Sequence, residues 1–409
     1  MLHGDPSALE VLRALAARHG LEVRGGRVRR TSSRFCLGVE HGDYNGTELF
    51  GVGTDRFLWL AARPNESGRV RLVSSSFEAE GCLDLDPARI PPPGSQTGWA
   101  RYAWGALATL AAAGQPIQQG MDIAIHSNIP GGGMSRSASL CINLVLTLGE
   151  QNGVASPPDA RTVRLAQSIE NDYVGSPCGN LDQTMIVFAK AGHGTHFRPS
   201  TGEIEHIPLG PSAPDFRLLA LDTGTVRPGL EQATYPIRRA ECEQLVALAR
   251  AEGFGIARLA DVRTEELFQV IRARLGPAHP ELIDRLRYLY EAQGRFESLL
   301  EAWRMGDVAQ VGAIFREDGH GLRDLYRVSG PELEAMCDIV REIPGVFGER
   351  MLGGGDKGAS GAVVRAGAVP AVRAAIDAEF PARFPGLADR YAVHELSIVD
   401  GVTVLEAPL

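Results

Sequence analysis

A run of three glycines between a predicted strand and a predicted helix constrains this chain more than any other feature. The segment "GMDIAIHSNIP" alternates apolar residues as a strand does, and an apolar helical pattern begins at about Ser135. Between them, Gly131, Gly132 and Gly133 leave the main chain bare, so a ligand can approach it closely. The unpaired N–H groups at a helix start favour a phosphate or another anion. A plain glycine turn into a capped helix is an equally good reading of this segment alone, and the GxxxxGK(S/T) phosphate loop is absent.

Length and charge exclude several classes of function. The chain has 409 residues, which predicts roughly two domains, and its formal net charge is −9. A negative chain disfavours nucleic acid and anionic membranes as partners, and no apolar run is long enough to span a membrane. The scattered cysteines form no CxxC pair, so we expect free thiols in a cytoplasmic protein, without a zinc site or disulfide framework. We expect no secretory signal at the N-terminus.

Strand and helix patterns are mixed along the chain without a strict βαβ rhythm, which predicts an α+β fold. Strands are predicted between 27 and 76 and again in "TMIVFAKAG", "GTHFRPS" and "FRLLALDTG". Helical patterns cover residues 6–19, 97–114, 135–151, 161–175, 228–252, 279–304, 330–342 and 368–379. The Pro- and Gly-rich segment 205–215 is a predicted linker. We therefore expect a loosely attached flanking helix in 1–26, an N-terminal domain at 27–205 and a C-terminal domain at 206–409.

Several segments, taken in order, resemble the motifs of one family. "PGGGMSRSAS" resembles the central phosphate motif of the GHMP small-molecule kinases. "SRFCLGVEHGDYNG" resembles the GR…GEHTDYNGG sugar signature of the galactokinase branch, and "ENDYVGSPCGNLDQ" resembles its catalytic segment. "YPIRRAECE", "GHGLRDLYRVSGPELE" and "ERMLGGGDKGASGAVV" match later motifs of that branch in the right order. The resemblance runs from about Arg27 to the end of the chain.

The resemblance implies a two-domain GHMP kinase architecture with the active site in the cleft between the domains. It implies an ATP- and Mg²⁺-dependent kinase that phosphorylates the anomeric C1 hydroxyl of a hexose, with galactose as the leading substrate. The partners are then a small-molecule sugar and ATP, and the protein is a monomer or a weak homo-oligomer. A kinase for another monosaccharide and a galactokinase-like sensor that binds sugar and ATP without turnover are the alternatives.

The sugar site implied by the resemblance begins at "EHGDYNG". From chemistry alone, Glu40, His41 and Asp43 lie beside an Asn-Gly turn, and a polar turn without a ligand explains them equally well. The resemblance aligns these three residues with hexose-contacting positions, Tyr235 with a sugar-contacting tyrosine and Gly179 with a backbone contact. Two departures concern the choice of sugar: Gly42 replaces the threonine of the family signature, and Ser32-Ser33 replace the usual Pro-Gly before the arginine.

The resemblance also implies the catalytic pair. Asp182 lies in a loop after a helix and Arg34 lies on a strand, and by resemblance the two meet at the hydroxyl that is phosphorylated. Asp182 would accept or orient the proton of that hydroxyl, and Arg34 would stabilise charge on the transferring phosphoryl group. Glu170 aligns with the Mg²⁺-binding glutamate, with Ser137 as a second oxygen ligand. A structural ion pair and a solvated helix glutamate are the alternatives.

The nucleotide site implied by the resemblance consists of Gly131, Gly132, Gly133, Ser135, Arg136 and Ser137. Arg136 departs from the family, which has serine there, and can either clamp a phosphate or crowd the triphosphate. A second glycine loop, "MLGGGDKGASG", borders the active site in the family. Asp356 and Lys357 stand in it where neutral residues are usual, as a phosphate contact or as a surface charge pair. For Trp99 and Tyr102, packing inside a helix core is the preferred interpretation.

Overall fold

The structure of the chain is a computed structural model, and it describes residues 4–153, 157–226, 232–406 and 409. Within these residues the strands are β1 (Arg27–Gly38), β2 (Leu49–Pro64), β3 (Val70–Ser74), β4 (Leu83–Leu85), β5 (Met121–Ser127), β6 (His193–Arg198), β7 (Glu203–Pro208), β8 (Phe216–Asp222), β9 (Val346–Met351), β10 (Ala359–Arg365), β11 (Ala392–Leu396) and β12 (Val402–Val404). The helices are α1 (Asp5–Arg18), α2 (Ala100–Ala112), α3 (Arg136–Gln151), α4 (Ala160–Ser168), α5 (Leu181–Val187), α6 (Tyr235–Ala251), α7 (Glu265–Leu275), α8 (Pro280–Met305), α9 (Val308–Gly321), α10 (Pro331–Arg341) and α11 (Val369–Arg383).

The strands of the described residues form two sheets. The larger sheet has the order β12-β1-β2-β5-β3-β4, and β6 pairs with β2 and with β7. Only β3 and β5 run parallel among its described pairs. The smaller sheet is antiparallel, in the order β11-β8-β10-β9. The predicted α+β class is therefore confirmed.

The strand β1 is buried along nearly its whole length although its sequence is polar. Its polar side chains have partners on the helix that follows the glycine run: Thr31 Oγ1 donates to the Ser139 carbonyl at 3.0 Å, and Arg29 donates to Thr147 Oγ1 at 2.6 Å. Buried polar groups are tolerated where they are hydrogen-bonded in this way. The contacts fix the start of α3 over the middle of β1, and this determines where the glycine run lies.

The first helix is an integral part of the larger sheet's packing. Leu12 and Leu15 of α1 are fully buried. Asp5, at the start of the helix, contacts the Arg30 guanidinium and accepts a hydrogen bond from Trp59 Nε1 at 2.9 Å. The expectation of a loose attachment is thus wrong, because α1 covers one face of the sheet with leucines and ties its first turn to β1 and β2.

Two further predictions of local structure are wrong. The segment "TMIVFAKAG" begins inside α5 and is not a strand. The prediction failed because residues 183–187 are all buried, and this hides the periodicity that separates a helix from a strand. Residues 205–208 of the predicted linker belong to β7, where His206 pairs with Thr195 of β6.

Two predicted helices are observed with different bounds. The predicted helix at 228–252 is observed as α6, and residues 227–231 lie outside the described residues. The predicted helix at 161–175 is α4 continued by one wider, π-type turn at Ile169–Val174.

None of the helices in residues 4–153, 157–226 and 232–406 is long and apolar enough to cross a membrane.

Candidate active site

The glycine run lies at the mouth of a cavity of about 410 Å³. The chain leaves β5, passes through the run and enters α3 at Arg136, with Gly133 at φ +77° and Ser135 at φ +60°. Ser135 occupies the N-cap position, yet its side chain makes no capping bond, and its Oγ has no hydrogen-bond partner among the described atoms. The N–H groups at the start of α3 are therefore left available toward the cavity, which suits an anion. Its lining includes residues 131–137, Arg34, Asp182 and Glu170.

Arg34 and Asp182 meet at the wall of this cavity. Arg34 is almost fully buried on β1, and its Nε donates to Asp182 Oδ1 at 2.8 Å, with Nη2 2.7 Å from the same oxygen. The remaining terminal nitrogen, Nη1, donates to the Gly133 carbonyl at 2.8 Å, so one guanidinium joins the carboxylate to the glycine run. Burial lowers the pKa of Arg34, but the charges of Asp182 and Glu40 outweigh this effect and the net pKa is raised. The cation therefore stays charged.

Asp182 is placed by the first turn of α5 and is the exposed member of the pair. A third of its side chain remains accessible, whereas that of Arg34 is 2% accessible. The carboxylate thus has one oxygen held by the guanidinium and surface left for another molecule in the cavity.

Glu170 lies on the π-type turn and is buried beside α5. Its carboxylate accepts a hydrogen bond from Gln183 Nε2 at 2.6 Å and another from the Ser137 side chain. Burial raises the pKa of Glu170 to about 7, against these two bonds, and the nearby charge of Asp182 adds to the rise. A carboxylate and a hydroxyl facing one cavity are hard oxygen donors of the kind that Mg²⁺ takes together with phosphate oxygens. Within the described residues no group of three or more His, Cys, Asp or Glu side chains forms a metal cage, so an ion here would need ligands from the nucleotide.

The residues of the predicted sugar site converge next to Asp182. Asp43 accepts hydrogen bonds from the Leu181 amide at 3.1 Å and from the Tyr44 amide at 3.0 Å, and this ties the signature loop to the start of α5. Burial raises the pKa of Asp43 to about 6 in spite of those bonds. A Cβ atom on Gly179 would lie 2.0 Å from Asp43 Oδ2, so any other residue at that position would displace the Asp43 carboxylate.

Tyr235 and His41 complete this corner. The Gly179 amide donates to Tyr235 Oη at 3.1 Å, and the ring centroids of His41 and Tyr235 are 5.0 Å apart. His41 Nδ1 lies 2.9 Å from Tyr44 Oη. Glu40 is buried, with Oε1 3.9 Å from Arg34 Nη2. The structure therefore brings all five predicted sugar residues together, and we call this cluster the sugar corner (Glu40, His41, Asp43, Gly179 and Tyr235). The sugar corner is joined to the Arg34–Asp182 pair through Glu40 and Leu181.

Comparison with known proteins agrees with the motifs. Residues 101–190 match the family described as GHMP kinases N terminal domain. The galactokinase of Chloroflexus aggregans is 33% identical over 358 residues, which are 87% of this chain and 88% of that protein. The chain belongs to the galactokinase family. The crystal structure of Lactococcus lactis galactokinase complexed with galactose superposes with a TM-score of 0.87 at 26% identity, covering 98% of this chain and 100% of that one. Methanococcus jannaschii mevalonate kinase shares the fold, with a TM-score of 0.66 at 14% identity over 92% and 99% of the two chains. The predicted GHMP kinase architecture is confirmed.

Arg136, which replaces a family serine in this galactokinase-family chain, lies beside the aromatic side chains that line the cavity. Its guanidinium carbon lies 6.0 Å from the centroid of the Phe77 ring, and that ring stacks on Trp99 with centroids 5.9 Å apart. Burial lowers the pKa of Arg136, although the charges of Tyr102 and Asp222 oppose this. Phe77, Trp99 and Tyr102 line the cavity as well as packing against each other. Arg136 therefore belongs to the aromatic wall of the cavity.

This chain has Gly42 where the family signature has threonine, and it has a threonine, Thr47, five residues further on. A Cβ atom on Gly42 would lie 1.9 Å from Thr47 Oγ1, although the backbone at Gly42, with φ −79° and ψ −29°, suits any residue. In the family signature the position of Thr47 is the second glycine of the Asn-Gly-Gly. Thr47 therefore occupies part of the volume that a threonine at position 42 would need, and the Val39 carbonyl oxygen, 2.9 Å from the same Cβ, limits that volume further.

Asp356 of the second glycine loop is a structural tie. Its carboxylate accepts hydrogen bonds from the Thr234 amide at 2.5 Å and from Thr234 Oγ1 at 2.7 Å, directly before Tyr235 at the start of α6. Lys357 makes no ion pair within the part of the chain that the structure describes, and it lines a separate surface cavity. The unusual charges of this loop thus have different uses, and only Asp356 supports the sugar corner.

Sequence reasoning missed two residues that the structure places in the site. Gln183 follows Asp182 directly and holds the Glu170 carboxylate. Arg350 precedes the second glycine loop and reaches Glu40 across the two sheets, with Nη1 3.0 Å from Oε2. Both residues lie inside segments that resemble family motifs, but a polar residue of such a segment has no fixed role until its partner is known.

Proposed function

We propose that this protein is a galactokinase, which transfers the γ-phosphoryl group of ATP to the C1 hydroxyl of D-galactose. The observation that carries the proposal is the Arg34–Asp182 pair, which lines one cavity together with the bare glycine run and is joined through Glu40 to the corner that holds His41 and Asp43. The resemblance in sequence to galactokinases over most of the chain supports the same activity.

In the reaction, the C1 oxygen of the sugar forms a bond to the γ-phosphorus while the bond from that phosphorus to the β-phosphate oxygen breaks, and ADP leaves. Asp182 accepts the proton of the C1 hydroxyl, or holds the hydroxyl oriented for attack. Arg34, which donates to Asp182 and to the Gly133 carbonyl, faces the side from which the phosphoryl group arrives and stabilises its charge. Phosphoryl transfer depends mainly on this kind of positioning and charge neutralisation.

The Glu170 carboxylate and the Ser137 hydroxyl fit a Mg²⁺ ion, and we propose that they hold it with the phosphate oxygens. Mg²⁺ there would neutralise charge on the β- and γ-phosphates. We propose that the N–H groups after the glycine run bind the phosphates, and that the aromatic wall with Arg136 borders the nucleoside.

We propose that the sugar lies against Glu40, His41, Asp43, Tyr235 and the backbone of Gly179. Carboxylates accept hydrogen bonds from sugar hydroxyls, and the histidine and tyrosine can donate or accept. Because the pKa of Asp43 is about 6, its carboxyl is mostly ionised above that pH and serves there as an acceptor.

The proposal is tested by ADP release from Mg-ATP with a panel of monosaccharides. Turnover with galactose and with no other sugar supports it, turnover with a different sugar supports a kinase of another monosaccharide, and sugar binding without ADP supports a sensor. In the same assay Asp182→Asn should lower kcat by about 10²–10⁴-fold while calorimetry gives nearly unchanged galactose affinity, since the loss removes a proton acceptor only. Asp377→Asn, an exposed residue of α11, is the matched control and should keep full activity. An Asp182→Asn variant with normal kcat would contradict the mechanism.

A further inference from the structure

A buried guanidinium from the smaller sheet is directed at the sugar corner in the larger one. Arg350 is the fifth residue of β9, and its side chain is fully buried. Its Nη1 donates to Glu40 Oε2 at 3.0 Å and to the Met351 carbonyl at 3.0 Å, and its Nη2 donates to the Cys36 carbonyl at 3.0 Å. The Phe315 ring lies against the guanidinium, with its centroid 4.3 Å from the central carbon. This side chain is therefore fixed on several sides.

The contact makes Glu40 one member of a row of four alternating charges. The row runs from Asp182 to Arg34, from Arg34 to Glu40 and from Glu40 to Arg350. Its spacing is uneven, because Arg34 lies 2.7 Å from Asp182 but 3.9 Å from Glu40, and Arg350 lies 3.0 Å from Glu40. Glu40 is thus held by Arg350 and leaves the Arg34 guanidinium to Asp182.

We propose that Arg350 is a positioning residue, which holds the Glu40 carboxylate on the sugar and keeps it from competing with Asp182 for Arg34. The proposal rests on the proposed function, because it uses Glu40 as a sugar ligand and Arg34–Asp182 as the catalytic pair. The physical reason is that a buried carboxylate requires a cation. If Arg350 is removed, the nearest guanidinium in the row is Arg34, and Glu40 turns toward it at the expense of both the sugar and Asp182.

The test replaces Arg350 with methionine, which keeps much of the volume and removes the charge. Galactose affinity is measured by calorimetry, and turnover is measured by ADP release. In Arg350→Met the galactose Kd and KM should rise about tenfold and kcat should fall about tenfold, whereas the KM for ATP should stay within about twofold, since the contact couples to Glu40 and the Arg34–Asp182 pair and not to the nucleotide site. An unchanged galactose Kd, or equal increases in both KM values, would overturn the proposal.

A double-mutant cycle asks whether the effect passes through Glu40. In the Glu40→Gln background there is no carboxylate to misplace, so adding Arg350→Met should change the galactose Kd by less than about twofold. Equal effects of Arg350→Met in the two backgrounds would contradict the proposed route. If Arg350→Met does not fold, Arg350→Lys takes its place in the cycle. Lysine retains one charge but not the bond to the Cys36 carbonyl, and it should give an intermediate rise of about threefold in the galactose Kd.

The matched control is the ion pair of Glu349, which is the residue next to Arg350 on the same strand. Glu349 points to the opposite face of β9 and is buried between Arg316, at 2.7 Å, and Arg341, at 2.8 Å. Arg316→Met also removes a guanidinium from a buried carboxylate, so it should lower the melting temperature but leave both KM values unchanged. A rise of the galactose KM in this control equal to that in Arg350→Met would reduce Arg350 to a structural role. If the unaltered protein did not turn over galactose, the proposed function would be refuted. The galactose Kd values of the unaltered protein, Arg350→Met and Arg316→Met would still decide the role of Arg350.

Discussion

The two glycine loops look alike in the sequence but differ in what their missing side chains are needed for. At Gly131 a Cβ atom would meet nothing within 4 Å. At Gly132 it would lie 2.6 Å from the Cα of Gly358, and at Gly133 it would lie 2.9 Å from the Leu352 carbonyl oxygen. The second loop makes the same kind of contact, since a Cβ on Gly353 would lie 2.9 Å from the Cα of Gly133. Most of these glycines therefore let two main chains pack together, and Gly131 alone of those compared faces open space.

The comparison teaches that a glycine-rich loop next to a ligand site need not owe its glycines to the ligand. The first loop is held in place by the second, which comes from the smaller sheet, so the cavity mouth is assembled from both halves of the chain. Substitutions of single glycines should separate the two causes, because one kind disturbs the contact between main chains and the other disturbs only the cavity.

The largest effect is expected for Gly132→Ala. The added methyl group collides with backbone that cannot rotate away, and overpacking of this kind costs about 1–3 kcal/mol of unfolding free energy. The shift also moves the glycine run, and a displacement of about 1 Å can cost about 100-fold in kcat/KM. Urea unfolding and ADP release measure the two effects. Stability and activity equal to those of the unaltered protein would mean that the loops do not touch as described.

Gly42→Thr extends the comparison to a glycine that lies against a side chain, that of Thr47, whereas Gly132 lies against main chain. The new Cβ collides with Thr47 Oγ1, which should cost about 1–3 kcal/mol of unfolding free energy. Adding Thr47→Gly restores the family pairing and should return part of that loss, because the Val39 carbonyl oxygen still lies 2.9 Å from the new Cβ. Thermal unfolding of the two variants provides the check. A double variant no more stable than Gly42→Thr would disprove the coupling of the two positions.

Asp356→Asn tests the tie that leads from the second loop to the sugar corner. The amide keeps the shape and tolerates the φ of +62° at this position, but it weakens two charge-assisted bonds to Thr234 and should cost about 1 kcal/mol. Because Tyr235 follows Thr234, the KM for galactose should rise by a few-fold, as measured by ADP release. Lys357→Gln, at the next residue, is the control and should change neither quantity. Equal changes in the two variants would refute the assignment of a supporting role to Asp356 alone.

The smallest effect on stability is expected for Gly131→Ala. With open space around the new methyl group, the unfolding free energy should change by less than about 0.5 kcal/mol. The KM for ATP should nevertheless rise, since the methyl group enters the space offered to the nucleotide. A marked loss of stability would show that Gly131 also packs against protein, and an unchanged KM for ATP would place the phosphates elsewhere.

The sequence predicted the parts of the molecule that are marked by local pattern. The helices with one apolar face, such as α8 and α10, and the strand–glycine–helix order around residue 131 follow from periodicity and backbone freedom. The α5 segment was misread because it is buried on every side, and β1 has a polar sequence because its side chains bond to α3. Such patterns depend on partners distant in the chain, which local sequence does not identify.

The candidate site divides in the same way. Motifs indicated the residues on each loop, but their meeting depended on the resemblance and not on spacing, since Arg34 and Asp182 are 148 residues apart. Arg350 was missed because it reaches Glu40 across 310 residues of sequence. The collision between a side chain at position 42 and Thr47 Oγ1 depends on the folded loop, so the sequence could not predict it.

The pairing of β12 with β1 has a consequence for how the protein is made. Arg34 lies on β1, and the outer edge of that strand is covered at Arg29, Arg30 and Thr31 by residues 402–404. During synthesis, β1 leaves the ribosome long before these residues exist, and an uncovered strand edge is a template for aggregation. Until residues 402–404 have been synthesised, this edge of β1 has no partner strand, so we expect a chain that ends before residue 402 to aggregate more readily than the full chain.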